Sequence, residues 1–583
     1  MSRSAVGPRR PRTRSLFPLI IGVVLVWFVT AFLVWPNFAA IAAAFAPDGQ
    51  LSTNAFDKLA SSARVQKSLL NSGLLAAALA ITTNVVGVFI VLVTSYFRVR
   101  GSRVLWFGYA TTFIYGGVVL ASGYRAIYGD GGIVTGWLQS FLPALPPDWF
   151  TGFPAVLIAM TLATTTNHML FVSAALSRID QQTLEAAKLM GASPWRVLRT
   201  VVLPALRPVL FAVTILSFLT GLGALSAPQV LGGTSFQTVA PTILTLSRSP
   251  ASRDVAVLLA LILGLATLAL LLVFNRLERG GTYYSLARVT TKLEKQSLSS
   301  RPANVALHVA AYALFFVYVL PVLLIVLYSF LPSTAMFSNS IVLGDLTLDN
   351  YIRVLSGADA LRPLVVSILY SLGAAFVSVV GMLFVVRLIT RYRGWFTKLM
   401  EVLLHIPWVL PSTLAALGLI VAYDHPSALL GGYVLTGTTL ILLIAYVVAK
   451  IPFTLRLFRA AFASLDQSVE EAAQNLGASP LRILRQVVLP AVFPVAIAVF
   501  ALNFNTLLDD YDLAVFLANP LYQPLGMAIR ANTTGDLNAD ATSNNFVYTV
   551  LLMVVTGLVM SLVYWRPKRR VRKSVAVTAG PLT

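Results

Sequence analysis

The residues best suited to chemistry form an acidic group near position 510. Asn505, Asp509, Asp510 and Asp512 lie at the end of an apolar stretch that is long enough to cross a bilayer as a helix. Ionisable groups at membrane depth are costly, so these side chains are candidates for contact with a passing cation. If the helix continued, Asp509 and Asp512 would share one of its faces. The alternative is that the carboxylates lie in the outer headgroup region, where they are solvated or cap a helix.

A polar segment occurs twice in the chain. Glu185–Pro208 and Glu471–Pro494 begin 286 residues apart and agree, without a gap, at two thirds of their positions. Agreement of this kind indicates an internal duplication. Since the offset is close to half of the 583 residues, we expect two repeats. A polar loop that is so alike in both repeats is expected to contact a partner.

The local sequence predicts the shape of this loop. In the first copy Asp180 can cap the N–H groups that open a helix, and Gly191 can end that helix with a positive φ. Ser193 and Pro194 then favour a new helix, as N-cap and first residue. The second copy repeats the pattern from Asp466 onwards. We predict a short helix, a sharp bend and a basic helix leading into the next apolar stretch. A membrane-anchoring helix is the alternative, but such helices favour a Lys-rich face with Trp or Phe, which this one lacks.

The composition is that of an all-α polytopic membrane protein. Hydrophobic residues make up 57% of the chain and charged residues 11%, and the mean hydropathy is +0.80. Apolar stretches of about 20 residues, the length of a transmembrane helix, recur along the whole chain. About six fall in each half, so both repeats enter the membrane from the same side and are parallel. The predicted spans are 16–35, 70–96, 103–124, 153–176, 200–221, 254–275, 306–331, 364–389, 399–423, 433–455, 488–508 and 546–565.

The net charge of +21 is distributed unevenly across the predicted membrane. If the N-terminus is cytoplasmic, most of the 43 Lys and Arg residues lie on the inner side, as the positive-inside rule requires. We therefore expect a multi-pass membrane protein with both termini cytoplasmic. Its basic termini would contact the lipid bilayer rather than nucleic acid. Cysteine is absent and the four histidines are scattered, so we predict no disulfide, no metal site and no catalytic residues.

The duplication also predicts the domain boundaries. The first half is residues 1–275, with its polar loop at about 180–204. The second half is residues 305–583, with its loop at about 466–490. Residues 276–304 are the longest polar stretch between two spans on the inner side and are rich in Lys, Arg and Ser. We interpret them as a cytoplasmic linker between the halves.

The duplicated loop resembles the signature loop of permease subunits in binding-protein-dependent ABC importers. The matching residues are Glu185, Ala186, Ala187, Gly191, Leu203 and Pro204, and Glu471, Ala472, Ala473, Gly477, Leu489 and Pro490. The chain as a whole is most similar to fused two-domain permeases of the ferric-iron, thiamine and polyamine type. The resemblance implies a type I ABC importer permease fold and a location in a prokaryotic inner (cell) membrane. It also implies that Glu185–Gly191 and Glu471–Gly477 are coupling helices, each docking one subunit of an ATPase.

The chain lacks the means to hydrolyse ATP itself. It contains no Gly-Lys dipeptide, and therefore no Gly-x4-Gly-Lys-Ser/Thr phosphate loop. We expect a transport subunit and not an enzyme, with no cofactor of its own. ATP and Mg would be bound by a separate cytoplasmic ABC ATPase, present in two copies. The resemblance further implies an extracytoplasmic solute-binding protein.

The same resemblance assigns the fifth helix of each half to the substrate path. We therefore place Asn505, Asp509, Asp510 and Asp512 on that path, together with Thr220 and Ser226 of the uncharged first-half counterpart. Ferric iron is our first expectation, because Ala224–Gly233 resembles a loop of iron and polyamine permeases. Thiamine, a polyamine or another small solute is the alternative. A twelve-helix secondary transporter is the alternative of a different class, but it would need charges for coupling ions within spans that are nearly free of charge.

Overall fold

Helices make up almost all of the described chain. The structure, a computed structural model, describes residues 16–46, 50, 52–278, 293–298, 300–332, 343–392, 394–534 and 539–564. The basic runs near both termini and most of the predicted linker lie outside these ranges. The only β-bridges in the described part are isolated pairs, Phe97 with Gln296 and Ser427 with Tyr433.

The α-helices fall into two successive sets. The first set is α1 (Leu16–Val29), α2 (Trp35–Phe45), α3 (Asn54–Ser61), α4 (Ala63–Val91), α5 (Ser102–Tyr109), α6 (Gly117–Tyr128), α7 (Ile133–Phe141), α8 (Gly152–Asn167), α9 (Ser173–Leu176), α10 (Gln181–Leu189), α11 (Pro194–Val197), α12 (Leu203–Leu222), α13 (Ser226–Leu231), α14 (Val239–Ser247) and α15 (Arg253–Glu278). The second set is α16 (Arg301–Ser329), α17 (Asp349–Ser356), α18 (Ala358–Arg391), α19 (Trp395–Leu404), α20 (Ile406–Val409), α21 (Ser412–Tyr423), α22 (Thr439–Ala463), α23 (Gln467–Asn475), α24 (Pro480–Ile483), α25 (Leu489–Leu508), α26 (Ala514–Leu517), α27 (Leu525–Thr534) and α28 (Ala539–Tyr564).

Short turns of other helix types extend or join these elements. π-Helical turns lie at Thr30–Val34, Leu92–Tyr96, His168–Val172, Leu198–Val202 and Leu484–Val488. The last two connect α11 to α12 and α24 to α25, so each of those pairs forms one long helix. Turns of 3₁₀-helix lie at Ala110–Phe113, Pro250–Ser252, Leu343–Asp345 and Ala428–Leu430.

The predicted third span of each half is bent instead of straight. Within the described residues, ten helices are long and apolar enough to cross a membrane, and two helix pairs bring the number to twelve if each counts as one span. The pairs are Ser102–Phe113 with Gly117–Phe141, bent by 109°, and Trp395–Trp408 with Ser412–Tyr423, bent by 108°. Gly117 has a φ of +52° at the first bend, and Pro411 is the N-cap of α21 at the second. Neither residue continues an α-helix readily, which explains the breaks.

The first helix of each half packs on the other half. The Tyr423 hydroxyl donates to the Ala31 carbonyl, and Trp27 Nε1 donates to the Leu429 carbonyl at 3.0 Å. In the opposite direction, the Tyr109 hydroxyl donates to the Ala311 carbonyl of α16 at 2.7 Å. The halves are therefore interlocked, because α1 with the turn Thr30–Val34, and α16, each leave their own repeat to join the core of the other.

Polar contacts, half-buried in the first half and buried in the second, tie the fifth helix of each half to its neighbours. In the first half, Asn84 of α4 donates to Thr214 of α12 at 2.8 Å and lies 3.3 Å from His168 Nε2. In the second half, the Asn503 amide of α25 donates to Thr454 of α22 at 2.8 Å and to Ser378 of α18 at 3.2 Å. Buried polar groups specify position strongly because an unpaired one is costly. The helices predicted to line the path are thus fixed to their own bundles.

Candidate functional site

The two duplicated loops have the same local geometry. The Asp180 carboxylate accepts from the Gln182 N–H at 3.2 Å at the start of α10, and Asp466 accepts from the Ser468 N–H at 2.9 Å at the start of α23. Hydrogen bonds from the Ser468 backbone and hydroxyl hold the pKa of Asp466 below its usual value, which keeps this cap ionised. The predicted capping aspartates are confirmed in both copies.

The predicted bends are confirmed as well. Gly191 has a φ of +82° and Gly477 a φ of +79°. No atom lies within 4 Å of the position that a Cβ would take at either residue. Glycine is therefore needed for its backbone conformation, which other residues adopt at a cost. Ser193 and Ser479 then cap the next helix, each accepting a backbone N–H at 3.3 Å.

Each loop exposes a large apolar side chain directly before its bend. Met190 is 82% exposed and Leu476 is 89% exposed, and the two positions are 286 residues apart. A second exposed apolar pair, Trp195 and Leu481, is related by the same offset and is 63% exposed in both copies. A repeated apolar projection on a polar loop indicates a surface for a protein partner.

The residues predicted to couple the loops to an ATPase lie on the same short helices. Glu185 and Ala186 are exposed on α10, whereas Ala187 is 8% exposed and faces the core. On α23, Glu471 and Ala472 are exposed and Ala473 is half-buried. The small residue that ends each Glu-Ala-Ala run thus faces the protein, while the acidic residue stays accessible.

The two short helices are attached to the protein in different ways. On α10, the buried Gln181 donates to the Glu185 carboxylate at 3.0 Å and accepts from the Glu294 N–H at 3.1 Å. On α23, Glu470 forms a two-bonded ion pair with Arg387 of α18, at 2.7 and 2.5 Å. Neither contact follows from the duplicated motif itself.

The acidic group predicted on the substrate path lies between the two halves. The Asp512 carboxylate accepts from the Ser226 hydroxyl at 2.5 Å, and Asp509 faces the backbone N–H of Gly116. Asp510 instead accepts from the N–H groups of Leu513 and Ala514, at 3.2 and 3.3 Å, and caps α26. All three carboxylates are half-buried.

The Ser226–Asp512 contact has a geometric meaning. The two residues are 286 positions apart, the same offset that relates the duplicated loops, so they are equivalent in the two repeats. In a twofold arrangement, equivalent residues can contact each other only near the axis. This hydrogen bond therefore lies close to the pseudo-twofold axis of the molecule, where a path between the halves would run.

The structure adds detail to the predicted path. The helix α25 ends at Leu508, so the condition under which Asp509 and Asp512 would share a helical face is not met. Thr220 is exposed and donates to the Leu216 carbonyl of its own helix at 2.8 Å. Asn505 is 9% exposed, and its amide has no hydrogen-bond partner among the described residues. Among those residues, no group of three or more His, Cys, Asp or Glu side chains is arranged to hold a metal ion.

Two residues near the acidic group were missed in the sequence. Lys450 of α22 is close enough to Asp509 and Asp510 for their charges to interact, and the Tyr446 hydroxyl lies beside Asp510. Lys450 falls within the predicted span 433–455, where a charge is itself a functional signal. The signal was available, but the spans were treated as nearly free of charge.

Comparison with known proteins decides the family. The sequence model of the protein family described as 'binding-protein-dependent transport system inner membrane component' matches residues 12–280 and 378–573. The chain belongs to this family. The permease is 40% identical over 548 residues to a protein of Sinorhizobium fredii (strain NBRC 101917 / NGR234) that is named as a probable ABC transporter permease, y4fN. That match covers 94% of the permease and 95% of the relative.

More distant relatives carry the names of different solutes. The ferric transport system permease protein FbpB of Actinobacillus pleuropneumoniae is 23% identical over 514 residues, which is 85% of this permease and 72% of FbpB. A protein of Salmonella paratyphi A (strain ATCC 9150 / SARB42), provisionally named for 2-aminoethylphosphonate transport as PhnV, is 26% identical over 261 residues. That match covers 45% of this permease and 94% of PhnV.

The predicted class and fold are therefore confirmed. The chain is a multi-pass membrane protein and an ABC importer permease, which is a transport component and not an enzyme. Its class works with an ABC ATPase and a solute-binding protein. The family excludes the twelve-helix secondary transporter as the alternative.

Proposed function

We propose that this permease receives the work of ATP hydrolysis through the two duplicated loops. One ABC ATPase subunit docks on α10–α11 and a second on α23–α24, and these partners bind the ATP and Mg. The observation that carries this proposal is the repeated projection of Met190 and Leu476, each more than four fifths exposed and each followed by a glycine of positive φ. Large apolar side chains at the centre of a contact usually supply most of its binding energy.

The charge distribution supports a particular orientation. We place both termini and both docking loops in the cytoplasm of a prokaryotic cell, with the permease in its inner membrane. Most of the 43 Lys and Arg residues then lie on the inner side. The solute-binding protein would deliver its solute to the opposite face.

We further propose that the solute passes along the contact between the halves and that it is a small cation. Asp509, Asp510 and Asp512 bring three carboxylates together, and the Lys450 ammonium group interacts with two of them, Asp509 and Asp510, so negative charge dominates this group. Asn505 and Ser226 add polar atoms, and Thr220 would contribute only if the solute passes over the exposed surface of α12. Ferric iron is the first candidate, because FbpB is named for it. Thiamine and polyamines are the other candidates, because they too carry positive charge.

The docking proposal is tested by substituting the two glycines of the bends. In the double variant Gly191→Val and Gly477→Val, a branched side chain must adopt a positive φ, which costs about 1–2 kcal/mol per residue. We expect the ATPase to be lost on co-purification and uptake to stop. Gly431→Val is the matched control, since Gly431 has a φ of +66° and open space around it but belongs to neither docking loop. Full assembly and uptake in the double variant would contradict the proposal.

A further inference from the structure

The duplicated docking helices need support from the rest of the protein. Each of α10 and α23 is nine residues long, and isolated helices of that length are marginal in water. Each helix also leaves its outward side exposed for a partner. The contacts on the inward side therefore decide whether the docking surface keeps its position when a partner pushes or pulls on it.

In the second half this support is an ion pair. Arg387 lies near the cytoplasmic end of α18, and its two terminal nitrogens each bond one carboxylate oxygen of Glu470. The side chains are 15% and 17% exposed, so solvent weakens the pair far less than it weakens an exposed one. A two-bonded Arg–carboxylate pair also fixes direction, because both groups are planar. We call this pair the second anchor.

The first half lacks both members of that pair. The position equivalent to Glu470 is Leu184, 286 residues earlier, and it is fully buried. The basic turns Arg98–Gly101 and Arg391–Gly394 correspond at an offset of 293, which aligns Arg387 with Thr94. A different group must therefore hold α10 against the end of the second span of the first half, which is α4 with the turn Leu92–Tyr96.

That group is the end of the segment that joins the halves. Residues 293–298 lie against the first half, and the buried Gln296 forms a parallel bridge with Phe97. Its N–H donates to the Tyr96 carbonyl at 2.8 Å, and its carbonyl accepts from the Arg98 N–H at 2.9 Å. The bridge joins this segment to the residues that directly follow the second span of the first half.

Two neighbours of Gln296 complete the contact. The Lys295 ammonium group donates to the Thr94 carbonyl at 2.6 Å and to the Ser102 hydroxyl at 2.7 Å. Burial, together with the positive charge of Arg103, lowers the pKa of Lys295. The Glu294 N–H donates to Gln181 on the docking helix itself at 3.1 Å. We call the contacts of Gln181 with Glu294 and of Lys295 with Thr94 and Ser102 the first anchor.

We propose that the two anchors position the two docking helices independently, so that residues 293–298 are a working part of the first docking surface and not only a connection. Arg387 and Glu470, and Gln181 and Lys295, are accordingly positioning residues for energy coupling. This inference rests on the proposed docking of an ATPase at both loops. It assigns the linker a role that a fusion of two halves does not by itself require.

The absence of cysteine from the chain allows each docking helix to be probed separately. Lys188→Cys or Gln474→Cys would introduce the only thiol of the permease, to which a maleimide–benzophenone probe is attached, and would leave Met190 and Leu476 in place. The measured quantity is the yield of photo-crosslinking to the ATPase in membrane vesicles that contain the assembled transporter. Both positions are exposed on the docking helices, so labelling requires no opening of the structure.

Each anchor is then removed in both probe backgrounds. We expect Arg387→Ala to lower the yield at position 474 about fivefold and to leave position 188 within about twofold, as loss of a half-buried ion pair implies. Gln181→Ala combined with Lys295→Ala should have the reverse selectivity. Glu470→Ala should add little to Arg387→Ala, because both remove the same interaction. Arg391→Ala and Arg301→Ala are matched controls that each remove one exposed positive charge, from α18 and from the start of α16.

The outcomes separate this inference from the docking proposal. Selective loss at one position supports independent anchors. If removal of either anchor lowers crosslinking equally at both positions, or if removal of neither anchor lowers it, the inference is overturned and the docking proposal stands. No crosslinking at either position of the otherwise unchanged chain overturns the docking proposal and this inference with it. If Arg387→Ala fails to fold, Arg387→Lys keeps the charge but loses the two-bonded geometry, and the same selectivity is expected.

Discussion

The docking loops and the ends of the fifth helices differ in how far the two repeats have diverged. The loops agree in their aspartate caps, their positive-φ glycines and their exposed Met190 and Leu476. At the ends of the fifth helices, by contrast, the second half carries Asp512 where the first half carries Ser226. If the loops meet two copies of one partner, as proposed, the same local shape is expected in both repeats, whereas a path for one solute can take its charge from one side.

The strongest test of this difference removes the negative charge from the path. We expect Asp509→Asn, Asp510→Asn and Asp512→Asn together to lower uptake of radiolabelled ferric iron about 100-fold, since a hydrogen bond to a charged group contributes about 1.5–3 kcal/mol. Asparagine keeps the size of each side chain and can still cap α26. ATP hydrolysis by the assembled complex should continue. Asp148→Asn, in an exposed loop of the first half, is the control, and undiminished uptake in the triple variant would refute a charged path.

A smaller effect is expected from the contact on the pseudo-twofold axis. Asp512→Asn removes the charge and should lower uptake about tenfold, whereas Ser226→Ala removes only the 2.5 Å donor and should lower it about threefold. The ratio of the two losses of uptake compares the contribution of the Asp512 charge with that of its hydrogen bond to Ser226. Equal effects would mean that the hydrogen bond between the halves matters and the charge does not.

Lys450 offers a milder way to make the halves alike. Lys450→Thr introduces the residue type that the first half has at Thr164, 286 positions earlier. We expect maximal uptake to fall about fivefold, because Asp509 and Asp510 lose the positive charge of Lys450 that interacts with them. Lys450→Arg should retain most of the activity. If Thr and Arg behave in the same way, the positive charge plays no part.

The smallest differences are expected at the docking loops. Met190→Ala and Leu476→Ala should each lower ATPase co-purification about threefold. The two losses should be equal, because the two apolar side chains occupy equivalent positions in the two repeats. Trp137→Ala removes an exposed aromatic side chain outside both loops and is the control. Unequal losses at the two positions would show that the loops are alike in structure but not in use.

Local rules were enough to predict the docking loops. Asp180, Gly191 and Ser193 each act through their own backbone neighbours, so their roles can be read from the sequence. The sequence also held two local signals that the predictions did not use. Gly117 marks a bend within the predicted third span, and Lys450 is a charge inside another predicted span.

Other features depend on contacts that no local pattern contains. The exchange of first helices rests on bonds such as Tyr423 to Ala31, between residues nearly 400 positions apart. The anchor formed by Lys295 and Thr94 likewise joins distant parts of the chain. The predicted span 488–508 ends where α25 ends, at Leu508, but the capping of α26 by Asp510 beyond that point was not predicted from the sequence.

The central claim, symmetric energy input and an asymmetric path, is tested most directly by two reciprocal exchanges. One variant exchanges residues 185–204 with 471–490, and the other exchanges Gly223–Ser226 with Asp509–Asp512. ATP hydrolysis and solute uptake are measured in the same reconstituted vesicles. We predict that the first variant keeps both activities within about twofold and that the second keeps hydrolysis but loses uptake at least about tenfold. Loss of hydrolysis in the first variant, or full uptake in the second, would contradict the account.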